Sequence, residues 1–182
     1  MHVERVGLDG VLILVPEPHH DERGLFTRTF DAAVARQHGI DPGSFVQDSQ
    51  SRTIKGVVRA LHGRGGAGES KLVRCARGAV WDVVVDARPE SPTFGQWAAT
   101  VLDDVEFRHL FIPAGFLHGH QTLTELSDVC YRIDREHAPG EDLSVHYADP
   151  DLAIPWPDPV SLVSDRDQAA GSWAHLASAL RG

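Results

Sequence analysis

GVVRALHGRGGAGESKLVRCARGAVWDVVVD, residues 56–86, reads as three successive strands, the first two joined by a glycine-rich turn. In the first, Val58, Ala60 and His62 alternate onto one face, which stands an imidazole among small apolar side chains where desolvation holds it neutral. His62 is therefore a candidate base. The second strand opens with Lys71 and continues on the same face with Val73 and Cys75. An inward lysine needs an anion or a developing negative charge, which makes Lys71 a candidate oxyanion partner. In the third, Ala79, Trp81, Val83 and Val85 alternate with Val80, Asp82, Val84 and Asp86. Half of that second face is acidic, and Asp82 either orients a cationic group or is a solvated edge charge. On this stretch alone a plainer reading stays open, in which His62 is a hydrogen-bonded core residue and Lys71 an edge-strand gatekeeper.

Before this stretch, Val11–Val15 is a short apolar run closed by Pro16 and Pro18, and the charged turn HHDERG leads into a second alternating run, Leu25–Phe30. Asp31 is placed to cap a helix over AAVARQHG, with Gly39 as its stop. Phe45–Thr53 carries Gln47, Ser49 and Ser51 on one face, suited to a polar pocket or to solvent. Beyond the stretch, Trp97–Leu102 and Phe107–Ile112 read as strands separated by the acidic turn DDVE. After the corner at Pro113, Phe116, His118 and His120 alternate to one side, and Val129, Tyr131 and Ile133 repeat that spacing one strand later. From Pro139 the chain turns polar and proline-rich, and a final amphipathic segment from about Ala169 to Leu180 predicts a helix. Many short strands at regular turn intervals, with few helices, predict an all-β, jelly-roll double sheet with short peripheral helices, formed by one domain over residues 1–182. His62, Lys71, His118 and Tyr131 then converge on one cavity, an arrangement that a purely apolar core would penalise.

Composition agrees with a folded, turn-rich chain: 42% hydrophobic and 24% charged residues, with 17 glycines and 11 prolines in 182 positions. A formal charge of −9 argues against a nucleic-acid partner but leaves room for a local basic pocket. No segment approaches the roughly 20 apolar residues of a membrane span, and the N-terminus lacks an apolar signal core, so a cytoplasmic location without membrane contact is expected. Cys75 and Cys130 each lie inside an apolar run and are expected to be buried free thiols.

Gly56-x5-His62 and Pro113-x-Gly115-x2-His118 resemble the two half-motifs of the cupin family, in which histidines and a glutamate bind a divalent metal. The second histidine of the first motif would fall on Arg64, and a guanidinium cannot ligate a cation, so no metal is expected even though Glu69 sits at a tolerable spacing.

A closer resemblance spans nearly the whole chain through DERGLF at 21–26, FVQD at 45–48, RALH at 59–62, KLVRCARGAVWDVVVD at 71–86, SPTFGQW at 91–97, IPAGFLHG at 112–119 and SDRD at 164–167. These segments resemble the dTDP-4-dehydrorhamnose 3,5-epimerase family. The resemblance implies a metal-free cupin-type jelly roll, a homodimer that exchanges N-terminal strands, a dTDP-4-keto-6-deoxysugar substrate and no cofactor. It also implies roles. His62, paired with Asp167, is the base that removes a proton beside a keto group, Lys71 stabilises the enolate, Tyr131 is the acid on the opposite face, and His118 lies in the same pocket. Arg23 and Arg59 match arginines that bind the nucleotide diphosphate and line the site, while Phe26, Gln47 and Ser49 stand in segments that shape the pocket.

Several positions depart from the family's usual residues. Thr27 and Arg28 stand for phenylalanine and glutamate, Ser49 and Gln50 for asparagine and histidine, Glu136 and His137 for two tyrosines, and His120 for an aromatic residue. Retained proton-transfer groups with less stacking surface imply the same chemistry on an altered sugar, inverted at C3, C5 or both. A metal-dependent cupin enzyme and a non-catalytic sugar-binding cupin are the alternatives. Tyr131 argues against the last, since a binding protein has no need of a buried acid opposite a base.

Overall fold

The computed structural model describes residues 1–182, leaving aside the side chain of Pro139. Its strands are β1 (His2–Arg5), β2 (Leu12–Val15), β3 (His19–Asp21), β4 (Gly24–Phe26), β5 (Gln47–Ile54), β6 (Val58–Arg64), β7 (Lys71–Arg77), β8 (Ala79–Asp86), β9 (Trp97–Asp103), β10 (His109–Ile112), β11 (Phe116–Thr122), β12 (Leu126–Ile133) and β13 (Asp142–Ser144). Three short helices accompany them among the described residues: α1 (Ala32–Gln37), α2 (Asp165–Gln168) and α3 (Trp173–Arg181). A six-stranded sheet runs β1-β2-β10-β7-β12-β5 and a five-stranded sheet β13-β6-β11-β8-β9, while β3 and β4 form a separate hairpin. All named pairings are antiparallel. The expected all-β double sheet is thus the observed one.

Alternation along the strands explains the layers. In β2, Ile13 faces the space between the sheets and packs with Val73, Cys75, Val80, Val84, Leu102, Leu110, Ile112, Phe116 and Val129. Its neighbours Leu12 and Leu14 face outward and are covered by Ala35 of α1 and by Ile40. On the far side of the five-stranded sheet, Leu61, Val83, Val85 and Leu117 are covered by the C-terminal segment through Leu152, Ile154, Val163 and Trp173. Each fully buried aliphatic side chain contributes about 1.5–3 kcal/mol, so a strand apolar on both faces needs both covers.

Several sequence expectations shift, and two edge strands were not foreseen. The Leu25–Phe30 run is a strand only through Phe26, because Arg28 donates to Asp31 at 2.8 Å while Asp31 caps α1 by accepting from Ala33 N. The C-terminal helix begins at Trp173 instead of near Ala169, since Ser172 is its N-cap and α2 ends just before Ala169. The edge strands β1 and β13 are short and polar, and they exist through pairing with β2 and β6 rather than through any pattern of their own. Cys75 is buried as expected, whereas Cys130 is half-buried; both are free. No helix among the described residues is long and apolar enough to cross a membrane.

Asp86, at the end of β8, organises the loop that closes the sandwich. It accepts from Arg88 Nη2 at 2.7 Å, Ser91 Oγ at 2.6 Å and Thr93 Oγ1 at 2.6 Å. Burial pushes its carboxyl up, but these donors outweigh burial and hold it at about 2. Asp86→Ala is expected to lower the unfolding free energy by about 2–4 kcal/mol at neutral pH, measured by urea denaturation. Because the folded-state value is depressed, wild type should lose this advantage as pH falls toward about 2, and the two proteins should converge there.

Candidate active site

A cavity of about 730 Å³ opens where the apolar filling between the sheets stops. Along the inner face of β7 the side chains run Lys71, Val73, Cys75; the first lines the cavity and the other two belong to the core. On β12, Ile133 and Tyr131 line the cavity and Val129 the core. The facing wall comes from β6 and β11, with Arg59, His62, Arg64, His118 and His120. Base and acid candidates therefore stand on different sheets, His62 on β6 and Tyr131 on β12.

The placement of His62 corrects the simple alternation expected for its strand. His118 pairs with His62, but His120 pairs with Arg59, so the register slips between them. Arg59 and His62, three residues apart, both line the cavity, while Ala60 joins the outer apolar cluster. The slip needs a close approach that Gly119 permits, since a Cβ there would lie 2.4 Å from Ala60 Cβ.

His62 is half-buried, and its Nε2 lies 2.7 Å from Oδ1 of the buried Asp167. Asp167 sits in α2, where its N–H donates to Ser164 Oγ at 3.2 Å. Burial raises the Asp167 carboxyl, but the His62 hydrogen bond leads the contacts that together keep it below the ordinary carboxylate value. With the Nε2 proton directed at Asp167, Nδ1 carries the ring's lone pair. A second pair lies deeper: His118 Nε2 is 2.9 Å from Oδ2 of Asp82, which is fully buried, so the acidic position left open by the sequence orients an imidazole. His120 is buried beside it; its Nε2 has no partner among the described residues, and burial, reinforced by His118, Arg59 and His62, pushes its pKa down to about 3. Lys71 Nζ lies 3.1 Å from Glu69 Oε1. Arg59 lines the cavity with its Nε donating to Thr53 Oγ1 at 3.0 Å, and no carboxylate among the described residues pairs with it.

A model of the dTDP-4-dehydrorhamnose 3,5-epimerase family matches residues 5–175 of this chain. The dTDP-4-dehydrorhamnose 3,5-epimerase of Escherichia coli is 40% identical over 170 residues, covering 92% of both chains. The chain belongs to this family. The dTDP-4-dehydrorhamnose 3-epimerase of Streptomyces niveus is 38% identical over 176 residues, covering 93% of this chain and 83% of its own. The crystal structure of NovW, a 4-keto-6-deoxy sugar epimerase from the novobiocin biosynthetic gene cluster of Streptomyces spheroides, superposes with a TM-score of 0.94 at 37% identity, covering 100% of this chain and 92% of that one.

Of the residues marked in the sequence of this epimerase-family chain, His62, Lys71, Arg59, His118, His120, Tyr131, His137 and Asp167 line the one cavity. Arg23 and Phe26 do not. They lie on the β3–β4 hairpin, with Arg23 held to Asp21 and Phe26 72% exposed. Gln47 and Ser49 share the inward face of Ile133 and Tyr131 through their register but sit at the open edge of the sheet, outside the cavity lining. His137 is at the rim, 3.5 Å from Arg64. Sequence reading gave no site role to Asp142 and Arg166, which line the cavity and pair at 2.9 Å. Their place beside Asp167 and in a short polar strand carried no signal of its own.

The cupin half-motif positions His62, Arg64, Glu69 and His118 all line this cavity. Arg64 Nε donates to Glu69 Oε2 at 3.1 Å, so the carboxylate that a metal would need is already engaged by a guanidinium. Among the described residues, Asp82, His118 and His120 offer three ligand atoms within 4.8 Å of one another, a geometry that could hold a cation. Two of the three are joined directly by the Asp82–His118 hydrogen bond.

Gly119→Ala should force β6 and β11 apart and lower the unfolding free energy by about 1–3 kcal/mol. Paired thermal and urea unfolding of the two proteins measures it.

Proposed function

We propose that the protein is a cofactor-independent epimerase of a dTDP-4-keto-6-deoxysugar. The observation that carries this reading is the His62–Asp167 pair, 2.7 Å apart, facing Tyr131 from the opposite sheet across a cavity that also holds Lys71. His62 removes the proton from a carbon next to the keto group, and Asp167 fixes its tautomer and stabilises the imidazolium. Charge moves to the ketone oxygen as an enolate, which the largely buried Lys71 ammonium stabilises. Tyr131 returns a proton to the other face, and the centre inverts. His118 and the neutral His120 bind the sugar beside the base.

Arg59, with a cavity position and no carboxylate among the described residues, suits a diphosphate oxygen. The names of the relatives support the dTDP-linked keto sugar and include both 3,5- and 3-epimerases, so inversion at C3, C5 or both is the open variable. Departures at Arg28, Ser49, Gln50, His120, Glu136 and His137 favour a sugar other than the rhamnose precursor. The molecule works as a single domain and as a homodimer in the cytoplasm, with no nucleic-acid or membrane partner. Support for the dimer comes from the exposed hairpin, with Leu25 46% and Phe26 72% exposed, and from the open β5 edge bearing Ile54 at 57%. A second copy supplies Arg23 and Phe26 to the site and meets Gln47 and Ser49 at its edge.

Incubation with dTDP-4-keto-6-deoxyglucose in D2O, followed by NMR at C3 and C5, tests the roles. His62→Ala should abolish deuterium uptake, and Asp167→Asn should reduce it less. Tyr131→Phe should retain some uptake while losing about 10²- to 10⁴-fold in inversion. Inversion by that variant at the wild-type rate would remove Tyr131 as the acid.

A metal-dependent cupin enzyme is the second reading, favoured by the Asp82–His118–His120 cluster. EDTA treatment separates the two, and we expect activity to be unchanged by it. Loss on chelation together with about one transition metal per chain by elemental analysis would instead establish the metal enzyme.

A further inference from the structure

Lys71 does not stand alone in the cavity wall. Its Nζ lies 3.1 Å from Glu69 Oε1, and the other oxygen of that carboxylate accepts from Arg64 Nε at 3.1 Å. Arg64 in turn reaches Asp142 Oδ1 at 3.1 Å, and Asp142 Oδ2 accepts from Arg166 Nη2 at 2.9 Å. Charges alternate in sign along this row. It begins at the ammonium and ends on α2, one residue from Asp167. Three of its side chains are withdrawn from water, with 12%, 7% and 7% exposure for Lys71, Glu69 and Arg64. The backbone between Glu69 and Lys71 is pinned as well, since Ser70 N donates to Asp134 Oδ1 at 2.7 Å.

A lysine on a flexible four-carbon stem does not by itself hold a point charge in one place. A buried carboxylate held from behind by a guanidinium does, because it cannot follow the ammonium without breaking its own bonds. Burying a carboxylate between two cations with good geometry also avoids the penalty that any one of the three charges would carry alone. We infer that Glu69 is a positioning residue, which aims the Lys71 ammonium at the developing enolate oxygen and is itself held by Arg64. The inference rests on the reading of Lys71 as the enolate's partner. It adds a requirement that neither composition nor motif supplies: an acceptor atom at position 69. Both oxygens are needed there, one to accept from the ammonium and one to be held by Arg64.

The test is a set of variants assayed by C–H deuterium exchange on dTDP-4-keto-6-deoxyglucose, with kcat and KM determined separately. Lys71→Met should lower kcat by about 10²- to 10³-fold. Glu69→Ala should lower kcat by about 10²-fold with KM nearly unchanged, the loss expected for a misplaced catalytic group. Glu69→Gln should fall between wild type and Glu69→Ala, since its amide oxygen can accept from the ammonium while its NH2 then faces Arg64 Nε and loses the brace. In the Lys71→Met background, Glu69→Ala should have no further effect, since a residue acting through Lys71 has nothing left to aim. Should Glu69→Ala fold poorly, Arg64→Met with Glu69→Ala removes the guanidinium left without its carboxylate, and the same loss is expected. A harmful Lys71→Met combined with a Glu69→Ala loss that persists undiminished in that background would overturn the inference alone. An unchanged kcat in Glu69→Ala would do so too. A harmless Lys71→Met would overturn the enolate reading and the inference with it.

Discussion

Ala60 and Gly119 bring two neighbouring strands of the five-stranded sheet so close that a side chain on residue 119 would overlap the methyl of residue 60. At this contact the β6–β11 register slips, and Arg59 and His62 turn onto one face, opposite His120 and His118. Regular alternation would have turned one of the pair outward into the apolar layer beneath the C-terminal segment. The cation without a carboxylate and the candidate base share a cavity because of one irregular pairing. A glycine makes that pairing possible.

A space between two sheets is a costly place for ionisable groups, and the wall of this cavity consists largely of pairs that offset the cost. His62 faces Asp167, His118 faces Asp82, and Lys71, Glu69, Arg64, Asp142 and Arg166 form a row of alternating charge. Arg59 and His120 are two of the lining groups without a charged partner among the described residues. In the proposed reaction Arg59 takes a diphosphate oxygen and His120 a sugar hydroxyl.

At two of the positions where a cupin would place metal ligands, this cavity holds an ion pair. Arg64 stands where a cupin would place its second histidine and turns Glu69 away from ligation toward Lys71. In the proposed reaction the fixed cation is the ammonium, which suits the enolate oxygen formed when a carbon-bound proton leaves.

Alternation and turn spacing in the sequence determined that the chain is a double β-sheet, that Lys71, Val73 and Cys75 share one face, and that His118, His120 and Tyr131 point inward. Those facts depend on local geometry with a period of two residues, which a sequence carries openly. Asp167 became visible only through family likeness, because nothing local distinguishes an aspartate in a polar, proline-rich tail. Only the tertiary structure placed it 2.7 Å from a histidine 105 residues earlier. The slip that faces Arg59 inward, the Glu69–Lys71 ion pair, and the exclusion of Arg23 and Phe26 from the cavity of their own chain were likewise decided there. The slip depends on which strand lies beside which, and side-chain patterns along one strand do not record the register of its neighbour.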